Sequence, residues 1–177
     1  MSKANPPSNA AKAPPVRPDD PTNLRRFAGQ FPTGVAIVTA RDNAGQLFGL
    51  TLNSITSVSL DPPLYLVCLG NASNTLRAVI ARGTFGINFL SDAQRSIAQI
   101  FAGKSTDKFG AVRYRLGHQD VPLLEDAVAT AVCRVENMFA AGDHQIVLGR
   151  VEDHAVGDGE PLIFLRGQFH KGPEPLS

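Results

Sequence analysis

The sequence has no excess of charge of one sign, few cysteines and no long apolar run. It holds 17 Lys or Arg against 16 Asp or Glu, a net charge of +1 that favours neither nucleic acid nor an anionic membrane as a partner. No run of about 18 apolar residues occurs and no apolar stretch follows Lys3, so we expect no membrane span, no secretory signal and a cytoplasmic location. Cys68 and Cys133 lie in apolar runs, which predicts reduced thiols while leaving a bond between them open.

The signature motifs of several enzyme classes are also missing. The sequence contains no G-x-G-x-x-G, no G-x-x-x-x-G-K-[ST], no H-E-x-x-H, no G-x-S-x-G and no C-x-x-C. Hydrolase, nucleotide triphosphatase and zinc-enzyme functions therefore lose their main support. The histidines lack metal-ligand spacing, so we predict no metal site; we read His118, His154 and His170 as ordinary polar residues and keep only His144 as a candidate.

Composition divides the chain into a folded domain and two tails. Residues 1–21 carry six prolines among small and polar residues, a composition that cannot bury enough apolar surface to order itself. We therefore predict a disordered Pro-rich tail over residues 1–21, one domain over residues 22–172 and a short C-terminal tail over residues 173–177.

Apolar and alternating runs predict a mainly β fold, an antiparallel barrel with three or four helices packed outside it. Asp42 to Gly45 supplies the turn of the first hairpin. Small residues alternating between Ala127 and Val135 suit the inside of a tight barrel. The last two strands are expected to close the pattern and remove exposed edges. The predicted strands are 34–40, 47–59, 64–69, 84–90, 127–136, 145–152, 162–166 and 168–170.

Three helices are predicted from capping residues and apolar spacing. Thr22 is expected to cap the first, a second fits residues 75–82, and a capping box from Ser91 to Gln94 opens the third. The faces expected to be buried are Leu24, Phe27 and Phe31 in the first helix, Leu76, Val79 and Ile80 in the second, and Ala93, Ile97, Ile100 and Phe101 in the third.

The strongest functional signal is the polar strand within residues 49–63. It carries a hydroxyl or amide at six positions where a core strand would have Val or Ile: Thr51, Asn53, Ser54, Thr56, Ser57 and Ser59. Such a segment offers donors for a phosphate and backbone amides for a planar ring. A solvated edge strand, with Thr present for its β propensity, explains the run equally well when it is taken alone.

Six stretches in a fixed order resemble a known family. They are residues 31–39, 49–63, 85–90, 107–109, 142–151 and 161–167. Together they make residues 24–170 similar to the flavin reductases with the FMN-binding split-barrel fold, the reductase components of two-component flavin-dependent monooxygenases. The resemblance implies a homodimer that passes a hydride from NADH or NADPH to FMN or FAD, and reduced flavin that diffuses to a partner monooxygenase.

The resemblance also implies a set of flavin-binding residues. The isoalloxazine is expected on the backbone of residues 51–54, and Lys108 is expected to act as a counter-charge for the flavin tail, although a loop lysine is often merely solvated. The full set is Thr33, Thr51, Leu52, Asn53, Ser54, Ser57, Val58, Cys68, Leu69, Ser73, Asn74, Lys108 and Phe109.

The nicotinamide side is expected at the Gly142-Asp143-His144 motif. By the resemblance, His144 positions the nicotinamide and is not a nucleophile, because hydride transfer between the two cofactors needs positioning and no side-chain acid or base. Arg166 and Gly167 are expected to help seat the dinucleotide. Phe169 stands where relatives often have Tyr, which leaves the choice between NADH and NADPH open.

Two other functions remain open from the sequence. One is a tight flavoprotein oxidase or quinone reductase that keeps its flavin, which would show no saturation with added flavin. The other is a non-catalytic flavin-binding module, in which residues 142–144 form only a hairpin turn. A structural dimer without ligand would leave the polar strand at residues 51–59 unexplained.

Overall fold

The structure is a computed structural model that describes residues 20–105 and 107–172. Antiparallel strands dominate it, as the sequence predicts. The strands are β1 (Thr33–Gly34), β2 (Ala36–Arg41), β3 (Leu47–Leu52), β4 (Ile55–Leu60), β5 (Pro63–Gly70), β6 (Thr84–Phe89), β7 (Tyr114–Leu116), β8 (Pro122–Leu124), β9 (Ala129–Ala141), β10 (His144–Val156), β11 (Leu162–Leu165) and β12 (Gln168–Lys171). The helices are α1 (Pro21–Ala28), α2 (Asn74–Arg82) and α3 (Arg95–Ala102).

Seven strands form one antiparallel sheet in the order β3-β2-β6-β9-β10-β5-β4. Inward side chains from these strands and from α2 meet in the largest of three apolar clusters in the described residues, so the sheet curls around that cluster. The predicted mainly antiparallel β fold with peripheral helices is confirmed. Closure into a split barrel stays a prediction of the resemblance.

The predicted continuous strand over residues 47–59 is wrong. The chain leaves strand geometry at Asn53 and Ser54, and β3 and β4 lie at opposite ends of the strand order. The cause is pairing at long range: β3 pairs with β2, whereas β4 pairs with β5 from Ile55 opposite Val67 onward. The hydroxyl residues of the segment 47–59 do not reveal which strand each half of it pairs with.

The hairpin of β9 and β10 is the longest pair, with 13 residues in each strand. The predicted inward direction of Ala131, Cys133 and Val135 is confirmed, because all three pack in the core. Gly149 on β10 is required there, since a Cβ at this position would lie 2.5 Å from the Phe85 ring.

The closing strands do not join this sheet. β11 pairs with β1, and β12 pairs with β11, in a separate three-stranded sheet, so the expectation that they remove the exposed edges is wrong. The sequence analysis also missed the small pair of β7 and β8. Three-residue strands are too short to show a periodic pattern.

The first helix is capped by Asp20 and not by Thr22. Pro21 occupies the first helical position, where its missing N–H costs nothing, and the Asp20 carboxylate accepts the N–H of Thr22 at 2.9 Å. Asp20 and Pro21 therefore belong to the helix instead of the tail. Residues 1–19 and 173–177, where the tails are predicted, lie outside the described residues.

The predicted buried helix faces are only partly correct. Leu76 and Val79 of α2 are buried, but Ile80 is 59% exposed because it points away from the sheet. The capping box at Ser91 is confirmed, but it opens a short 3-10 turn, Asp92–Gln94, that precedes α3, and Ala93 in this turn is exposed. In α3, Phe101 is buried, Ile97 and Ile100 are half-buried, and Ala98 is buried in place of Ala93. In α1, Leu24 and Phe27 are exposed, as is Phe31 beyond it. No helix in residues 20–105 and 107–172 has the length and apolar character to cross a membrane.

Candidate functional site

Four of the thirteen predicted flavin-binding residues lie on β4 or in the two residues before it. Asn53, Ser54 and Ser57 are exposed, and Val58 sits in a bulge opposite β5 with 48% of its surface exposed. Within the described residues β4 pairs only with β5, so one edge of its backbone presents unpaired N–H and C=O groups. This edge is able to hold a planar ring or a phosphate.

Four of the predicted residues have side chains that the fold itself uses. The Thr51 hydroxyl donates to the Ala98 carbonyl of α3 at 2.6 Å, and Leu52 and Leu69 are buried in the core. Cys68 is half-buried, and burial raises the pKa of its thiol. These residues therefore offer a ligand mainly their backbone.

Thr33 is different, because its hydroxyl has no partner. The Oγ1 atom is buried and makes no hydrogen bond within the described part of the chain. Thr33 lies in β1, three residues before Ala36, which pairs with Leu52 next to Asn53. A buried hydroxyl without a partner costs about 1–3 kcal/mol, so a ligand atom that bonds to it would be favoured.

A cavity of about 310 Å3, here called the first cavity, lies between β3, the start of α2 and the loop after α3. It brings together four predicted residues: Ser73, Asn74, Lys108 and Phe109. The sequence analysis missed the rest of its lining. These residues are Gln46, Leu47, Phe48, Gly49, Leu50, Thr75, Gly103, Lys104 and Ser105.

Lys108 is fixed by the fold and is not a solvated loop lysine. Its Nζ donates to the carbonyls of Gly49 at 3.2 Å and Phe101 at 2.7 Å, and burial lowers the pKa of the ammonium. An ammonium group has three N–H donors, so one is left for an anion in the first cavity. Lys104, which is exposed, adds a second positive charge to the lining.

The Gly142-Asp143-His144 turn is tied to the end of β5. Asn71 donates its backbone N–H to the Asp143 carbonyl at 2.9 Å and its side-chain amide to the Gly142 carbonyl at 3.3 Å. His144 Nδ1 lies 2.7 Å from Asp143 Oδ1, and this hydrogen bond, together with the charge of the imidazole, holds the pKa of Asp143 below its usual value. His144 Nε2 lies over Gly70, 3.8 Å from where a Cβ would stand.

The structure places the predicted dinucleotide segment in a turn held by α1. Arg166 and Gly167 both have positive φ, 51° and 80°, and connect β11 to β12. Arg166 donates its backbone N–H to Gly29 and its Nε to Gln30. Phe169 packs on Phe164 with the rings 5.4 Å apart. Among the described residues no hydrogen bond or ion pair joins this turn to His144 or to the first cavity.

The fold and the candidate site define a class: mainly antiparallel β proteins with a hydroxyl-bearing open strand edge and a cavity beside the opposite edge strand of the same sheet. The sequence profile of the Flavin reductase like domain matches residues 28–173. The chain belongs to this family.

Named relatives support the same assignment. The chain is 45% identical to the flavin reductase (NADPH) of Lentzea aerocolonigenes, over 82% of this chain and 86% of that protein. It is 37% identical to the reductase component of the Rhodococcus opacus 4-nitrophenol 4-monooxygenase/4-nitrocatechol 2-monooxygenase, over 87% of this chain and 82% of that protein. A probable flavin reductase of Rhizobium meliloti is 46% identical over 85% of this chain, which spans only 48% of that relative. Among solved structures, the NADH:FAD oxidoreductase of Streptomyces globisporus C-1027 has a TM-score of 0.87 at 36% identity, covering 93% of this chain and all of that one (100%).

Proposed function

We propose that this chain is an NAD(P)H:flavin oxidoreductase that reduces FMN or FAD and releases the reduced flavin to a partner monooxygenase. The catalytic unit of the proposal is residues 20–172, which includes Asp20 and Pro21 at the start of α1. Relatives named as flavin reductases and as the reductase component of a monooxygenase support both halves of the proposal.

One juxtaposition carries the proposal. The end of β5 lies between Ser54 and His144. On one side of β5, the Cys68 N–H donates to the Ser54 carbonyl at 3.0 Å. On the other side, His144 of β10 is the strand partner of Gly70. Neighbouring strands are about 4.8 Å apart, so the edge of β4 and His144 are separated by roughly 10 Å across β5. That span suits a flat tricyclic ring held at the edge of β4 with His144 at its margin.

The residues present fit a flavin. The orphaned Thr33 hydroxyl, the exposed donors of Asn53 and Ser57, and the free N–H of Lys108 supply bonds for polar ring atoms and phosphate oxygens. A bound flavin supplies the hydride acceptor, its N5 atom, to the nicotinamide C4 donor. The remaining task of the protein is to hold the rings in contact, and the turn clamped by Asn71 gives His144 a fixed position from which to orient the nicotinamide.

The outer face of β5 and β10 supports a homodimer as part of the proposal. The core side of these two strands carries Val67, Leu69 and Val147. Because side chains alternate along a strand, Leu66 and Leu148 point outward, and they lie opposite each other. Cys68, Ile146 and Phe139 form a second outward row, with Phe139 49% exposed. An apolar sheet face of this kind is stabilised by burial against a second copy. Sedimentation equilibrium would report twice the chain mass.

We place the proposed reductase in the cytoplasm, where both cysteines would stay reduced. Cys68 and Cys133 are free thiols, and burial, with the nearby Glu152 charge, raises the pKa of Cys133 to about 12.

Anaerobic NADH or NADPH oxidation, followed at the nicotinamide and flavin absorption bands with added FMN, FAD or riboflavin, tests the function. We expect turnover that saturates with free flavin, which a protein that keeps its flavin would not show. His144→Ala should raise the KM for the nicotinamide about ten-fold. The matched control is His154→Ala, an exposed histidine on the same strand, which should leave the KM as it is. Flavin binding without nicotinamide oxidation would refute the proposal.

A further inference from the structure

The first cavity continues into a second one. The second cavity, of about 460 Å3, is lined in addition by Asp42, Arg77, Ala78 and Ala81, and it shares Gln46, Phe48 and Asn74 with the first. The two form one groove that runs from Lys108 past the first turn of α2. Each volume falls in the range of roughly 300–1,000 Å3 that small-ligand sites occupy.

The lining of this groove carries cations in both cavities, on either side of their junction. Arg77 Nη1 donates to Asn74 Oδ1 at 2.7 Å, which holds the guanidinium at the junction while its other N–H groups remain available. Lys104 and Lys108 line the first cavity. The one carboxylate in the described lining, Asp42, already accepts two backbone N–H groups of its own turn through Oδ1. This charge distribution suits a diphosphate.

The junction also offers a flat apolar surface. Phe48 is half-buried and lines both cavities, and it packs at the edge of the core, which fixes its ring. Ala78 and Ala81 face the second cavity and leave space beside that ring because their side chains are small. A purine that stacks on an aromatic ring is stabilised by that contact.

We propose that this groove makes the chain selective for FAD over FMN. The first cavity takes the diphosphate and the second takes the adenosine, with Arg77 and Phe48 as the residues that determine the choice. The inference rests on the proposed function, since it extends the same flavin site. FMN ends at its single phosphate and has no group for the second cavity, so it forgoes the contact with Arg77 and the stacking of a purine on Phe48.

Isothermal titration with oxidised FAD and FMN tests this directly. We expect a Kd for FAD at least ten-fold lower than the Kd for FMN, because one added charge-assisted hydrogen bond already corresponds to about a factor of ten. Arg77→Ala should raise the Kd for FAD about ten-fold and that for FMN less than two-fold. Phe48→Leu, which keeps the apolar volume, should raise the Kd for FAD about three- to five-fold.

Arg82→Ala is the matched control, because Arg82 lies on the same helix, bonds to the Gln119 carbonyl and lines neither cavity. It should leave both Kd values unchanged. The proposed selectivity would be overturned if the unaltered protein bound FMN as tightly as FAD or more tightly, or if Arg77→Ala weakened the binding of both flavins equally. Either result would leave the proposed reductase function intact. A protein that binds neither flavin would refute the proposed function itself.

Discussion

The strands β3 and β4 are consecutive in the chain and both carry hydroxyl side chains, yet the surroundings of their polar groups are opposite. On β3, the Thr51 hydroxyl bonds to α3, and the Gly49 carbonyl accepts from Lys108. On β4, Ser57 and Val58 face solvent on an edge that no described strand covers. Packing by neighbouring elements therefore decides which hydroxyls serve the fold and which stay available to a ligand. We expect changes on β3 to cost stability and changes on β4 to cost flavin binding.

The largest effect on stability is expected at Gly49 of β3. A Cβ there would lie 2.5 Å from Cε1 of Phe101 and 3.3 Å from the Val38 carbonyl, so Gly49→Val must displace α3. We predict a loss of about 2–3 kcal/mol in the free energy of unfolding, measured by urea denaturation. Gly34→Val is the control, since nothing lies within 4 Å of a Cβ at that position. Equal losses in the two variants would mean that α3 does not cover β3 tightly.

A pair of hydroxyl deletions provides a sharper comparison of the two strands. Thr51→Val removes the bond to Ala98 and should lower the free energy of unfolding by about 1 kcal/mol. Ser57→Ala removes a hydroxyl from the exposed edge, so it should change stability by less than about 0.5 kcal/mol but raise the Kd for flavin about five-fold. Urea denaturation and flavin titration of both proteins check this. If Ser57→Ala destabilised the fold as much as Thr51→Val, the distinction between the two strands would be lost.

Local chemistry explains what the sequence could predict. The hairpin of β2 and β3 follows from residues 42–45, because the Asp42 carboxylate accepts the N–H groups of Ala44 and Gln46 within the same turn. The capping box at Ser91 and Gln94 is equally local. In both cases the interacting groups are at most four residues apart, so spacing alone reveals them.

Contacts between distant residues explain what it could not. The separation of β3 from β4 depends on β5, and the position of Lys108 depends on carbonyls of β3 and α3. The second cavity involves Arg77 only because α2 lies beside β3, which no motif encodes. The family resemblance indicated the general region of the site, but its lining between Gln46 and Leu50 required the pairing to be known.

The smallest effect on stability is expected at Asp143, which is exposed like Ser57 of β4. Its folded-state pKa is lowered by the hydrogen bond and charge of His144, so the pair stabilises the fold above the unfolded pKa of 3.8, and this contribution disappears as the pH falls through the lower folded value. Asp143 is exposed, so solvent screens the pair and the difference should be small. We predict that Asp143→Asn lowers Tm by less than about 1 °C at pH 6–7, and that the difference from the unaltered protein shrinks as the pH falls below 3.8 and Asp143 becomes protonated. Thermal denaturation across this pH range measures it. A Tm difference that grew toward low pH would have the wrong sign for a lowered pKa. A large loss of Tm at neutral pH would show that the exposed pair of Asp143 and His144 stabilises the fold as strongly as the covered contacts of β3.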